Sequence, residues 1–147
     1  MNRRLRKGFS IIELAVITII FALLLSVVAP KVTAAMVHTR VNKAAALVAA
    51  DVRQGFELAG RARAPIRLSY TSSTMTYSLA NRTTGAVIRS RAMGTTSEYK
   101  LKSLTFSPAT IDFFPSGVSS ANLTVTVAGS GYSRTVTATT AGLVRVP

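Results

Sequence analysis

Glu13 is the residue whose type and position most clearly point to a chemical role. It is the one charged residue in an apolar run of 21 residues, from Phe9 to Ala29. A carboxylate inside such a segment costs several kcal/mol in a bilayer unless it is paired, and it marks a functional position by default. The alternative is that Glu13, five residues after Gly8, reaches the polar interface of the membrane.

Catalytic and metal-binding chemistry has little support in the sequence. The chain has no Cys and a single His, His38. A Ser/His/Asp set could be assembled on paper from His38 and Asp51, but no nucleophile motif accompanies them. There is no phosphate-binding Gly loop with a Lys and no acidic cluster for a metal. The sequence therefore predicts a protein that is not an enzyme and that has no cofactor or metal, with His38 at a surface or an interface.

Positive charge is the third feature with chemical consequences. The 147 residues contain 18 Lys and Arg against five Asp and Glu, a net charge of +13. Four basic residues precede Gly8, and without them 14 basic residues face five acidic ones, a net charge of +9. Such a field attracts DNA phosphates in a salt-dependent way, and it equally suits acidic neighbours or anionic lipid head groups. The candidate contacts to DNA or to a partner are Arg40, Lys43, Arg61, Arg63, Arg67, Arg89, Arg91 and Arg145.

Aromatic side chains offer weak support for DNA binding. Tyr70, Tyr77 and Tyr132 could stack on bases, but their even spacing fits packing in a sheet better. No recognition helix or RNA-binding signature is present.

The elements that must position these residues begin with residues 9–29. A helix of this length covers roughly 30 Å, the thickness of a bilayer core, which predicts a transmembrane helix with the basic leader on the cytoplasmic side. A cleaved signal peptide is the alternative, but residues 27–29 fit its cleavage site poorly and Pro30 follows at once. Pro30 is expected to kink or loosen the helix.

Residues 30–64 predict a continuation of that helix. Apolar residues recur at helical steps, and Lys31, Arg40, Lys43, Asp51 and Arg53 fall off their stripe. One helix from about Ser10 to Arg63 is the result. The members of the stripe are Val37, Val41, Ala44, Val48, Val52, Phe56 and Ala59.

Residues 65–147 alternate like strands. Turns are predicted at residues 81–85, 115–117 and 129–131, the last within a hairpin. The expected fold class is α+β, with a long N-terminal helix packed on a C-terminal antiparallel β-sheet domain. The predicted strands are residues 66–70, 75–79, 87–91, 100–106, 111–114, 123–127, 132–137 and 143–146.

The segment around Glu13 carries a family resemblance. Its residues are Lys7-Gly8-Phe9-Ser10-Ile11-Ile12-Glu13-Leu14. They resemble the processing motif of type IV pilins and type II secretion pseudopilins, with Ser-Ile in place of the commoner Thr-Leu. The resemblance implies that a prepilin peptidase cuts between Gly8 and Phe9 and N-methylates Phe9. It also implies that Glu13 pairs with the N-terminal amine of a neighbouring subunit during assembly into a helical filament.

Later segments resemble the GspH/FimT minor pseudopilin family. The matches are the helix end and first strand at residues 56–68, the segment at residues 111–117, Arg134 and the C-terminal strand at residues 142–146. Some FimT-like proteins bind DNA through a C-terminal Gly-Arg-x-Arg element, but this chain has Leu143 where the first Arg would be.

The resemblance implies a four-part organisation and a location. Residues 1–8 would be a cleaved leader, 9–29 a transmembrane helix, 30–64 its amphipathic continuation and 65–147 a periplasmic or extracellular β domain. The protein would be a single-pass protein of the bacterial inner membrane and part of a pilus or pseudopilus. Its partners would be prepilin peptidase, other pilins or pseudopilins and the inner-membrane assembly platform.

Three functions remain open from the sequence. The first is a minor pseudopilin or pilin that assembles into, or primes the tip of, a type II secretion pseudopilus or type IV pilus. The second is a DNA-binding minor pilin for natural transformation. The third is an unrelated single-pass membrane protein with a periplasmic β domain.

Overall fold

A computed structural model describes residues 9–147 of the chain, one long helix followed by eight short strands. The helix α1 spans Ile11–Ala62. The strands are β1 (Ile66–Thr71), β2 (Thr76–Asn81), β3 (Val87–Ala92), β4 (Ser103–Ser107), β5 (Thr110–Phe113), β6 (Leu123–Ala128), β7 (Ser133–Ala138) and β8 (Val144–Arg145). This architecture confirms the predicted α+β class.

Both ends of α1 have local causes. At the start, the Ser10 hydroxyl accepts a hydrogen bond from the Ile12 amide at 3.2 Å, so Ser10 caps the helix. At the end, Arg63 has a left-handed backbone (φ 49°), and Pro65 follows. The predicted helix from Ser10 to Arg63 is thus confirmed to within one residue at each end. Pro30 lies inside α1, and the kink expected there stays a prediction.

The chain divides into two compact units, which meet between Ala35 and Met36. In the described part of the first unit, residues 9–35, every side chain is exposed. This part of α1 is long and apolar enough to cross a membrane by length and composition, with a mean hydropathy of 2.9 over its most apolar window.

In the second unit, one face of α1 is buried. The buried face consists mainly of small side chains, which leave room for larger side chains of the sheets such as Phe113. It includes the predicted stripe, with Val37 and Phe56 half-buried at its edge. The fully buried members are Val41, Ala44, Ala45, Val48, Ala49, Asp51, Val52, Gly55 and Ala59.

The strands form two four-stranded antiparallel sheets. The first has the order β3-β2-β1-β5 and the second the order β4-β6-β7-β8. The sequence predicted antiparallel pairing but not the division into two sheets. The connection from β3 to β4 buries Met93 and Leu101, and the chain then enters the second sheet before β5 returns to pair with β1.

Three aromatic side chains join the two sheets. Phe106 of β4 stacks on Tyr70 of β1, with ring centroids 4.7 Å apart, and lies 5.5 Å from the ring of Tyr77 in β2. The Tyr70 hydroxyl donates to the Leu104 carbonyl of β4. Tyr70 and Tyr77 therefore have the packing role in the sheets that their spacing favoured.

Four predicted strands, β2, β4, β7 and β8, begin later than expected, and the backbone accounts for the shifts of β2 and β4. Met75 and Lys100 have left-handed conformations (φ 48° and 47°), which depart from the extended backbone of a regular strand. Accordingly β2 begins at Thr76, and β4 begins at Ser103 rather than at Lys100. The predicted hairpin between β6 and β7 is confirmed, with Gly131 at φ 76°.

Gly55 is required by the close contact between α1 and β5. A Cβ at this position would lie 2.6 Å from Cε2 of Phe113. Phe113 is fully buried and packs against Phe56 at a ring distance of 4.6 Å, so its ring has no room to retreat. By contrast, a Cβ at Gly60, which lies in the same helix, would meet nothing within 4 Å.

We predict that Gly55→Ala lowers the free energy of unfolding by about 1–3 kcal/mol, because the added methyl overpacks the contact with Phe113. Gly60→Ala is the matched control, and it should raise stability by up to about 1 kcal/mol through helix propensity alone. Urea unfolding of the full chain in detergent micelles measures both changes. Equal stabilisation by the two substitutions would contradict the close contact.

Candidate functional site

The start of α1 carries the residues of the processing motif. Gly8 and the basic leader lie outside the described residues, and Phe9 and Ser10 precede the helix. Glu13 lies in the first helical turn, where unpaired backbone amides favour a negative charge. Its side chain is exposed and makes no ion pair with any residue from 9 to 147.

The second unit contains a buried ionic cluster centred on Asp51. The Asp51 carboxylate accepts hydrogen bonds from Arg89 Nη1 (2.7 Å), Arg91 Nε (2.5 Å) and the Tyr77 hydroxyl (2.7 Å). The Asp51 side chain is only 2% exposed, whereas those of Arg89 and Arg91 are 36% and 32% exposed. One carboxylate thus connects α1 to both β2 and β3.

Asp51 and Tyr77 each keep one protonation state near neutral pH. Burial raises the pKa of Asp51, but hydrogen bonds from Arg91, Tyr77 and Arg89 outweigh it, so the pKa lies below its ordinary value. Burial and the Asp51 carboxylate both raise the pKa of Tyr77, which keeps its hydroxyl a donor. The cluster is therefore a stable ion pair at neutral pH, with no group poised to exchange a proton.

A second, more exposed cluster surrounds Asp112 of β5. Arg67 of β1 forms a bidentate pair with its carboxylate, at 2.7 and 3.0 Å, and Arg82 approaches to 3.5 Å. The hydrogen bond from Arg67 lowers the pKa of Asp112. This cluster holds β1 against β5 and the turn after β2.

The eight predicted basic contacts separate into two groups. Arg67, Arg89 and Arg91 are engaged by Asp112 and Asp51, so their charges are already compensated within the fold. The remaining five form no ion pair among residues 9–147. They are Arg40, Lys43, Arg61, Arg63 and Arg145.

Sequence reasoning missed the burial of Asp51, because it assigned that residue to the solvated face of the helix. A signal was present. Asp51 lies between Val48 and Val52 of the apolar stripe, and Arg89 and Arg91 are two residues apart on a strand, so they face the same way. A lone acid at the edge of an apolar face, with two arginines on one strand face, indicates a buried pair.

His38 lies apart from any catalytic arrangement among the described residues. Its ring stacks on Tyr132 at a centroid distance of 3.9 Å, and the Tyr132 hydroxyl lies 3.2 Å from Asn42 Oδ1. His38 is exposed, as predicted for a surface residue. No group of three His, Asp or Glu residues that could hold a metal occurs between residues 9 and 147.

We predict that Asp51→Asn lowers the free energy of unfolding by about 2–3 kcal/mol. The substitution removes the charge that two arginines and a buried hydroxyl share, while the partly exposed guanidinium groups regain some hydration. Asp112→Asn is the matched control, with an expected loss of about 1 kcal/mol or less because its partners are more exposed. Urea unfolding of the full chain in micelles gives both values, and equal losses would contradict the central role of Asp51.

Comparisons with known proteins concern the fold. No protein-family model matches the sequence, and no curated protein matches it either. Among solved structures, two crystal forms of the type IV minor pilin FimU of Pseudomonas aeruginosa superpose with TM-scores of 0.61 and 0.58, at 16% and 17% identity. The matches cover 75% and 72% of this chain and 90% and 91% of FimU.

The minor pseudopilin EpsH from the type 2 secretion system of Vibrio cholerae is also similar. Its TM-score is 0.57 at 14% identity, with 74% of this chain and 96% of EpsH covered. At these identities the likeness concerns the path of the backbone. One long helix packed on antiparallel sheets is therefore the fold that this chain shares with a minor pilin and a minor pseudopilin, as the sequence resemblance predicted.

Proposed function

We propose that this chain is a structural subunit of the pilin type, a minor pilin or minor pseudopilin, and that it acts by assembly rather than catalysis. One observation carries the proposal. The Gly8-Phe9 and Glu13 motif stands at the start of α1, and α1 leads into a fold shared with FimU and EpsH. The subunit would enter, or prime the tip of, a type IV pilus or type II secretion pseudopilus.

Processing is the first step of the proposed mechanism. A prepilin peptidase would cut between Gly8 and Phe9, where the missing side chain of Gly8 lets a protease approach the backbone. The same enzyme would then methylate the new α-amine of Phe9. Phe9 is exposed, and helical structure begins two residues later, so the new terminus would be a cation at the edge of the apolar segment.

Pairing between subunits is the second step. Glu13 would bind the Phe9 amine of a neighbouring subunit, because a carboxylate in an apolar phase is tolerated when it meets a cation. The contact is heterologous, because the two subunits contribute different residues to it. Such contacts can repeat along a filament without closing into a ring. Register along the filament would follow from this pair.

Membrane orientation follows from charge. The basic leader would remain in the cytoplasm, and residues 30–147 would lie on the other side of the bacterial inner membrane until the assembly platform extracts the subunit. The ion pairs of Arg67, Arg89 and Arg91, together with Leu143 in the C-terminal element, argue against DNA capture as the main function.

The proposal predicts the mature N-terminus. Intact mass spectrometry of the protein from cells with a prepilin peptidase should show a chain that begins at N-methylated Phe9. In cells without the peptidase, or with Gly8→Val, the chain should begin at Met1. An intact Met1 in cells with the active peptidase would overturn the assignment to pilins.

The proposal also predicts the effect of Glu13→Ala. Cleavage should remain complete, while the amount of subunit recovered in sheared filaments should fall at least about tenfold, because the incoming amine has lost its partner. Glu13→Gln is the matched control for shape, and it should fail to a similar degree because it lacks the charge. Normal incorporation of either variant would show that charge pairing is not the role of Glu13.

A further inference from the structure

A small cavity opens between α1, the segment that precedes β4 and the turn between β6 and β7. Its volume is about 130 Å³. Apolar side chains and the cations Arg40, Lys100 and Lys102 line it together. The remaining lining residues are Val37, Val41, Leu101, Tyr99, Gly129 and Ser130.

The walls of this cavity are fixed by the fold. A Cβ at Gly129 would lie 2.7 Å from Val37 Cγ1 and 2.9 Å from Val41 Cγ2, so the β6–β7 turn packs directly on the helix. The Lys102 amide donates to the Ala128 carbonyl at 3.0 Å, which ties the segment before β4 to the same turn. The cavity is therefore formed in advance and needs no rearrangement to receive a ligand.

Charge in the cavity is uncompensated. None of the three cations has an ion-pair partner among residues 9–147, and no carboxylate lines the walls. Lys100 has a left-handed backbone (φ 47°), a conformation that favours glycine. The fold therefore keeps a lysine side chain at the cavity where glycine would be less strained.

We propose that this cavity receives one acidic side chain of a partner protein, with a neighbouring apolar residue of that partner against the apolar wall. The volume compares with the roughly 150 Å³ cavity that holds one benzene, and it is well below the roughly 300 Å³ at which small-molecule sites begin. One side chain fits, whereas a nucleotide does not. The three cations select the carboxylate.

The partner is a protein of different sequence rather than a second copy. Two copies each carry a formal charge of +13, or +9 without the leader, and repel one another. Asp51 and Asp112 are already paired, so the second unit of a second copy could offer only Glu57 and Glu98, against a large excess of its own cations. In a filament the partner would be an acidic neighbouring subunit, but the cavity and its charge do not depend on the filament role.

Fluorescence anisotropy tests the proposal with a labelled peptide, acetyl-Gly-Leu-Asp-Leu-Gly-amide, and the full chain in nonionic micelles. The Asp peptide should bind at least about tenfold more tightly than its Asn counterpart at low salt. The double variant Lys100→Gln/Lys102→Gln should lose that tenfold preference. Lys43→Gln removes an unpaired cation outside the cavity, and it should bind within about twofold of the parent chain.

Several results would overturn the proposal. These are no binding of the Asp peptide, equal binding of both peptides, or equal losses with Lys43→Gln and the double variant. Binding of a short DNA duplex or of phosphatidylglycerol vesicles that depends on Lys100 and Lys102, without peptide binding, would assign the cavity to phosphate instead. Equal unfolding midpoints of all variants exclude a folding defect, and because no filament is needed, failure here leaves the proposed function untouched.

Discussion

Side-chain packing between α1 and the two sheets is the constraint on which the second unit depends. The buried face of the helix is made largely of Ala and Gly, and at Gly55 the ring of Phe113 occupies the space of a side chain. At Gly129, in the turn between β6 and β7, the side chains of Val37 and Val41 of the helix occupy the space that a side chain of the turn would need. Close packing of this kind fixes the helix against both sheets, so features that combine residues from helix and strand have a defined geometry.

Asp51 adds selectivity to that packing. A buried ion pair contributes little net stability compared with apolar residues of the same size, but it disfavours arrangements that leave the charge unpaired. In the observed register Arg91 is opposite Tyr77 and Arg89 opposite Leu79. A slip of β3 by one residue would turn both arginines to the other face of the sheet and leave Asp51 buried without a cation. The cluster therefore favours one register for β3, an edge strand whose side chains are all exposed or half-buried.

The sequence predicted the regular elements well because their signals are local. The spacing of apolar residues predicted five of the nine buried residues of α1, and strand-like sequence patterns predicted all eight strands. Non-local features escaped prediction. The division into two sheets depends on which strand β5 pairs with, and the burial of Asp51 depends on arginines 38 and 40 residues away. The late starts of β2 and β4 follow left-handed backbones at Met75 and Lys100. Met and Lys rarely adopt this conformation, so the sequence does not indicate it.

The cations of the second unit fall into two groups, those paired with an acid within the fold and those without an ion-pair partner among the described residues. Asp51 and Asp112 take up four of the arginines, Arg67, Arg82, Arg89 and Arg91, and these charges serve the fold. The acids left in the second unit are Glu57 and Glu98, far too few for the remaining cations. Because the unpaired cations are exposed or half-buried, their attraction to a partner acts over about 8–10 Å at physiological salt and weakens as salt rises. Where they surround an apolar cavity, as Arg40, Lys100 and Lys102 do, selectivity comes from shape as well as charge, which favours one acidic side chain over a polyanion.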